Sequence, residues 1–152
     1  MSIASLEAAI PRDSRVLLDS TTLIAYLNGR EVASALAEHV LDQLVERGRN
    51  EAVVSMVTVL EVLVRPLQKS PADYNHAMDF ITRFPHLKAQ PIDLGVAQEA
   101  ASVRATQGLK TPDAIVVATA VVTQVGQLVT NDKRWKGVKD SRIKIVYLGD
   151  HL

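Results

Sequence analysis

Four acids at separated positions are the residues of this chain with the most chemical potential. Asp19 ends the apolar run Val16-Leu-Leu, Glu61 lies in Thr58-Val-Leu-Glu, Asp113 follows Thr111-Pro112, and Asp132 closes Leu128-Val-Thr-Asn-Asp. Each has an ordinary structural explanation. Thr58 and Glu61 fit a capping box, Asp113 at the second helical position is favoured by the helix dipole, Asp19 suits a helix cap, and Asn131-Asp132 is common turn chemistry. Together they say more. A charge directly after Val-Leu-Leu is costly unless it faces an opening or a partner. Carboxylates converging in one crevice repel each other, and a divalent cation is the usual remedy. A donor set of oxygens alone selects hard cations such as Mg²⁺ or Mn²⁺. Ions held in this way activate water and steady the leaving oxygen in phosphodiester cleavage.

The elements that must position these acids alternate along the chain. Val16–Ser20, Ala52–Ser55, Leu87–Ile92, Gln127–Thr130 and Ile143–Leu148 are short apolar runs without alternation, as in strands buried on both faces. Between them, helices are expected over 21–27, 31–47, 58–67, 71–84, 94–107 and 112–125. Over 31–47 the ladder Val32, Leu36, Val40, Leu44 defines an apolar face, and Gly48 can cap its end. Ser70 and Pro71 open the next helix as cap and first residue. The 112–125 stretch is apolar almost all round; its Val content makes a strand the rival reading, while Thr111-Pro112-Asp113 and the length favour a buried helix. Strands alternating with helices give an α/β fold, three layers deep, around a five-stranded, mainly parallel sheet. The 152 residues, with no repeat or linker, read as a single domain spanning 1–152. In such sheets, sites form outside the carboxyl ends of the strands, where Asp19 and Asp132 fall.

Composition narrows the function classes. There is no cysteine, which excludes zinc fingers, iron–sulfur centres, thiol catalysis and a disulfide framework. Lys plus Arg and Asp plus Glu each number 17, so the chain lacks the basic surplus of a protein that coats nucleic acid. Six aromatic residues (three Tyr, two Phe, one Trp) are too few for base-stacking platforms. No apolar run is long enough to cross a bilayer and the N-terminus lacks a basic leader pattern, so the expected location is the cytoplasm, with no membrane association.

One local asymmetry stands out. Residues 133–144 hold six basic residues and one acid, starting directly after Asp132. Lys133, Arg134 and Lys136 are therefore candidates for RNA-backbone contact, the alternative being a solvated loop. Trp135 reads as a hydrophobic anchor for that loop. Arg65 lies at i, i+4 from Glu61 and reads as its structural ion-pair partner. His39, His76, His86 and His151 have no ligand spacing and are assigned no metal.

Four blocks carry a resemblance. Leu17-Leu-Asp19-Ser-Thr-Thr-Leu-Ile-Ala-Tyr-Leu27, Ser55-Met-Val-Thr-Val-Leu-Glu61-Val, Lys110-Thr-Pro-Asp113-Ala-Ile-Val-Val-Ala-Thr-Ala and Leu128-Val-Thr-Asn-Asp132 resemble, in order and spacing, the PIN-domain family. Within it they are most similar to the VapC-type toxins of toxin–antitoxin pairs. The resemblance implies a metal-dependent endoribonuclease in which Asp19, Glu61, Asp113 and Asp132 line one pocket and hold Mg²⁺ or Mn²⁺. It implies that Thr21 or Thr130 orients ligands or water, that the chain forms a homodimer, and that a cognate antitoxin blocks the site. Rival readings lack their residues. A haloacid-dehalogenase-like phosphatase needs a second Asp where Thr21 stands, and neither G-x-G-x-x-G nor G-x-x-x-x-G-K-[ST] occurs. A non-catalytic RNA- or protein-binding module of the same fold is the remaining alternative.

Overall fold

The computed structural model describes Met1–Leu152. Five strands, β1 Val16–Leu18, β2 Ala52–Ser55, β3 Leu87–Gln90, β4 Gln127–Thr130 and β5 Lys144–Tyr147, form one sheet in the order β3-β2-β1-β4-β5. Every pairing is parallel. The helices are α1 Ile3–Ala9, α2 Ser20–Asn28, α3 Ser34–Glu38, α4 Met56–Lys69, α5 Pro71–Arg83, α6 Leu94–Gln107 and α7 Thr111–Val122.

The unbroken apolar strands are explained by two cores, one on each side of the sheet. Leu17, Val53 and Leu128 join Val96, Val103, Ala114 and Val117 beneath α6 and α7. Their neighbours Val16, Leu18, Val54 and Val129 join Leu6, Leu23, Leu36 and Leu41 in the opposite layer. Successive strand residues point to opposite faces, so a strand covered on both sides must be apolar throughout. The expected three-layer α/β architecture is therefore present.

Several local expectations are corrected. The helix expected over 31–47 begins only at Ser34 and passes into a π-helical segment, His39–Val45, where Glu46 N–H donates to Leu41 O at 2.8 Å. Val32 consequently leaves the apolar face and is 83% exposed. The chain leaves this segment through Gly48, whose φ of 74° is left-handed and whose Cα faces the His86 ring, so a β-carbon would stand 3.2 Å from that ring. β1 stops at Leu18, β3 at Gln90 before Pro91, and β5 at Tyr147. α7 takes in Thr111 and ends at Val122, which places Asp113 at the third helical position rather than the second.

α1 was not anticipated. Ser2 caps it by accepting from Ser5 N–H at 3.2 Å, and Leu6 and Ile10 are fully buried beneath it. His39 Nε2 lies 2.7 Å from Glu7 Oε1, and Arg49 donates to Ile10 O at 2.9 Å, fastening α1 to the π-helical segment and the turn after it within the same layer. No helix is long and apolar enough to cross a membrane.

Candidate active site

The sheet order places β1 beside both β2 and β4, so the chain departs from the sheet's centre in opposite directions. A crevice opens at the carboxyl ends of strands at such a switch point. Asp19 follows β1 and Asp132 lies two residues beyond β4, so both stand at its mouth.

Asp19 is the N-cap of α2 and is only 3% exposed. Its Oδ1 accepts from the backbone N–H of Thr22 at 3.0 Å and from the Thr21 hydroxyl at 2.8 Å. Its Oδ2 accepts from the Thr130 hydroxyl at 2.6 Å. Those two hydroxyls are themselves held from behind. Asn131 N–H donates to Thr21 Oγ1 and Asp132 N–H donates to Thr130 Oγ1, each at 2.9 Å. The turn after β4 thus orients both hydroxyls toward Asp19. Burial pushes the Asp19 carboxyl above the ordinary aspartate range, and the hydroxyl and amide donors, Thr130 foremost, oppose that shift.

Glu61 reaches the crevice by a different route from the capping box. α4 starts at Met56, with Ser55 as its cap accepting from Val57 N–H at 3.2 Å, so Glu61 sits in the second turn and caps nothing. Its Oε2 instead accepts from the Ser20 hydroxyl at 2.7 Å, across from α2. Asp113 projects from the first turn of α7 and its carboxylate has no hydrogen-bond partner in the protein. Asp132 is the N-cap of a 3₁₀ turn, Lys133–Gly137, and Arg134 clasps it: Nη2 donates to Oδ2 at 2.6 Å and Nε at 3.0 Å. That guanidinium holds the Asp132 carboxyl below its ordinary range.

All four acids line one cleft of about 250 Å³, together with Thr58, Lys110 and Trp135. They share the cleft without forming a tight cluster: no three acid or imidazole groups are close enough to grasp one ion as they stand. The chemistry of the donor set nevertheless suits a hard cation, since it consists of carboxylates and hydroxyls with no nitrogen or sulfur ligand.

The basic residues after Asp132 are largely committed. Lys136 Nζ pairs with Asp150 at 2.8 Å and lies 5.5 Å from the centre of the Tyr147 ring. Arg142 pairs with Asp140 at 2.9 Å and with Glu99. Lys133 makes no ion pair and lines a neighbouring groove. Trp135 is buried in the core under α7, as an anchor would be. Arg65 does not pair with Glu61; it lines the same groove. His39, His86 and His151 are taken up by Glu7, Val45 O and Ser5, which are structural contacts.

This groove, about 900 Å³, runs from the cleft between α2 and α4. Ile24 and Leu27 form one wall, Leu60 and Val64 the other, and Thr21, Glu61 and Asp132 are shared with the cleft. Leu60 and Leu67 are each 63% exposed, an unusual stripe for a helix of an otherwise closed fold.

Sequence reasoning passed over Ser20, Lys110 and Glu31, and read Asn131 only as a turn residue. Asn131 Nδ2 donates to Glu31 Oε2 at 2.9 Å, tying the α2–α3 connection to the turn after β4. Ser20 was detectable in principle as a hydroxyl adjoining Asp19 at a helix start. The Glu31 contact spans 100 residues and leaves no local signal.

A parallel α/β sheet with an acid-lined cleft at its switch point defines a recognisable class. Residues 16–141 match the PIN domain family, and the chain belongs to it. Comparison of the sequence with curated proteins gives no match. Among solved structures, the fold is similar to VapBC2 from Rickettsia felis bound to a DNA fragment from its promoter, with a TM-score of 0.67, 14% identity, and coverage of 88% of this chain and 98% of that one. A toxin–antitoxin complex from Klebsiella pneumoniae gives a TM-score of 0.65 at 22% identity, covering 88% and 97%. VapC20 from Mycobacterium tuberculosis, a toxin that cleaves the sarcin–ricin loop, gives 0.67 at 10% identity, covering 85% and 98%. At these identities the likeness is one of fold.

Proposed function

We propose that this chain is a metal-dependent endoribonuclease acting in the cytoplasm as the toxin of a toxin–antitoxin pair. The observation that carries the proposal is the meeting of Asp19, Glu61, Asp113 and Asp132, from four different elements, in one cleft of a PIN-family fold. The named activity of VapC20 and the toxin–antitoxin assemblies of similar fold support the same reading.

Asp19, Glu61, Asp113 and Asp132 would hold Mg²⁺ or Mn²⁺, which lowers the pKa of water and neutralises phosphate charge. The protein's own groups prepare this. The Thr130 and Thr21 hydroxyls fix the Asp19 carboxylate in one rotamer, so its oxygens need not reorganise when charge arrives. Ser20 keeps Glu61 turned toward Asp19's helix. Asp113 keeps both oxygens available. Lys110, at the rim beside Asp113, and Lys133, at the groove side, are cations without an ion pair and are placed to meet the RNA backbone. The apolar groove between α2 and α4 suits the arm of an antitoxin entering beside the acids. A homodimer is part of the same proposal, supported by the family resemblance.

The test is cleavage of total tRNA and rRNA by the purified protein with Mg²⁺ or Mn²⁺, beside EDTA and Asp19→Asn. Discrete fragments that vanish with chelation and with the substitution are the expected result. Intact RNA under every condition, with RNA or partner binding retained, would overturn the nuclease in favour of the non-catalytic module.

A further inference from the structure

Arg134 has an unusual position for a surface arginine. Its side chain is 85% exposed, whereas the Asp132 carboxylate it grips is 18% exposed. The cation thus closes over an acid that faces into the cleft. Both carboxylate oxygens are engaged: Oδ2 by Nη2 at 2.6 Å and Nε at 3.0 Å, Oδ1 by Nε at 3.2 Å and by the Arg134 backbone N–H at 2.9 Å. One residue therefore occupies the Asp132 carboxylate, in a cleft that holds three further acids.

We propose that Arg134 is a built-in counter-cation, bound to Asp132 when the cleft is free of metal and displaced from it when a divalent cation binds. This inference rests on the reading of the cleft as a metal site. A guanidinium stays charged across the working pH range, so the counter-charge is always present. Arg134 is two residues from Asp132 on a short 3₁₀ turn, so the competing cation is always at hand. The guanidinium itself is solvent-exposed and carried on a flexible side chain, so water can take it up when it leaves the carboxylate. Arg134 is then a residue that sets metal affinity, and the freed fork of donors remains at the rim, where it matches a phosphate. Arg134 is the cation paired with Asp132; Lys136 and Arg142 are held by Asp150, Asp140 and Glu99, and Lys110 and Lys133 make no ion pair with it.

Isothermal titration of MnCl₂ into RNA-free protein reads the competition directly. Arg134→Ala should bind Mn²⁺ about three- to tenfold more tightly than wild type, the range expected for losing a half-exposed pair and one nearby repulsive charge. Arg134→Lys, which keeps the charge but not the fork, should fall between them. Lys139→Ala, which removes a cation further along the same segment, should stay within about twofold of wild type. Equal affinities for wild type and Arg134→Ala overturn the inference and leave the metal site standing. A gain in Lys139→Ala as large as in Arg134→Ala also overturns it, since net charge would then be the cause. No Mn²⁺ uptake by either wild type or Arg134→Ala overturns the inference and the metal-site reading together.

Discussion

The Thr130 hydroxyl donates to Oδ2 of Asp19 at 2.6 Å while accepting the backbone N–H of Asp132 at 2.9 Å. A single side chain on β4 therefore connects the acid that ends β1 to the turn that carries the last acid. Thr130 is fully buried, so neither bond is shared with solvent. Thr130→Val keeps the shape and removes both bonds, leaving an acceptor in Asp19 and a donor at Asp132 with less satisfaction. It should cost about 1–3 kcal/mol of stability in urea unfolding and lower RNA cleavage at least tenfold. Thr130→Ser should recover most of both. Wild-type cleavage by Thr130→Val would remove Thr130 from the site.

Ser20 gives a test that separates positioning from folding. Its hydroxyl touches Glu61 at 2.7 Å near the surface, so Ser20→Ala should leave the melting temperature within about two degrees of wild type. Cleavage should fall about three- to thirtyfold, through kcat rather than KM, because only the orientation of Glu61 changes. A fall in KM-determined binding alone would assign Ser20 to the RNA contact instead.

Acid stability should report on Asp140. Arg142 beside it, with help from Gln107, holds this carboxyl well below the ordinary aspartate range. The unfolded chain therefore takes up the proton first as pH falls. The stabilisation is complete above the unfolded value of about 4 and is lost as pH drops below it. Arg142 is nearly half exposed, so screening reduces the contribution to about 1 kcal/mol. Unfolding free energies measured from pH 6 to pH 2 should fall less steeply in Asp140→Asn than in wild type. Identical slopes would show that the pair contributes nothing.

The groove predicts a partner-specific defect. Leu60 is 63% exposed on α4 and faces no other part of the chain's core. Leu60→Asp should therefore leave stability within about 0.5 kcal/mol, leave cleavage of free RNA within threefold, and weaken the complex with the cognate antitoxin at least tenfold in titration. An unchanged complex would move the antitoxin to another surface.

How much of this was legible before the fold was seen depends on how local each signal is. The strand runs Val16-Leu-Leu and Ala52-Val-Val-Ser carry their own evidence, because burial on both faces demands apolar residues without alternation. Asp19 was legible for a related reason, because charge at the end of such a run is anomalous; Glu61 and Asp113 stood out only as acids near helix starts, and Asp132 as an acid in the turn after a strand. Register-dependent detail was not legible. The ladder Val32, Leu36, Val40, Leu44 fits a helix equally well whether it starts at Glu31 or at Ser34, and no periodicity distinguishes an α turn from the π turn at His39–Val45. The Thr58–Glu61 capping pattern was outweighed because Ser55, at the end of β2, caps the helix earlier. α1 had a signal in Ser2 and in the spacing of Leu6 and Ile10, but it was too short to stand out. Charge counting over 133–144 could not show that Arg134, Lys136 and Arg142 are each met by an acid from outside the segment, Asp132, Asp150 and Glu99. Such pairings are made by the fold.

The shortness of the central strand bears on when the cleft can form. β1 is three residues long, and it pairs with β2 and with β4. The contact between Asp19 and Thr130 closes a loop of 111 residues. Such distant pairings form late and slowly. A ribosome-bound chain that has not yet released β4 lacks one side of β1, the Thr130 hydroxyl and Asp132 at the same time. Three of the acids can be synthesised before a complete cleft exists, so the cleft waits for β4 and the turn that follows it to emerge.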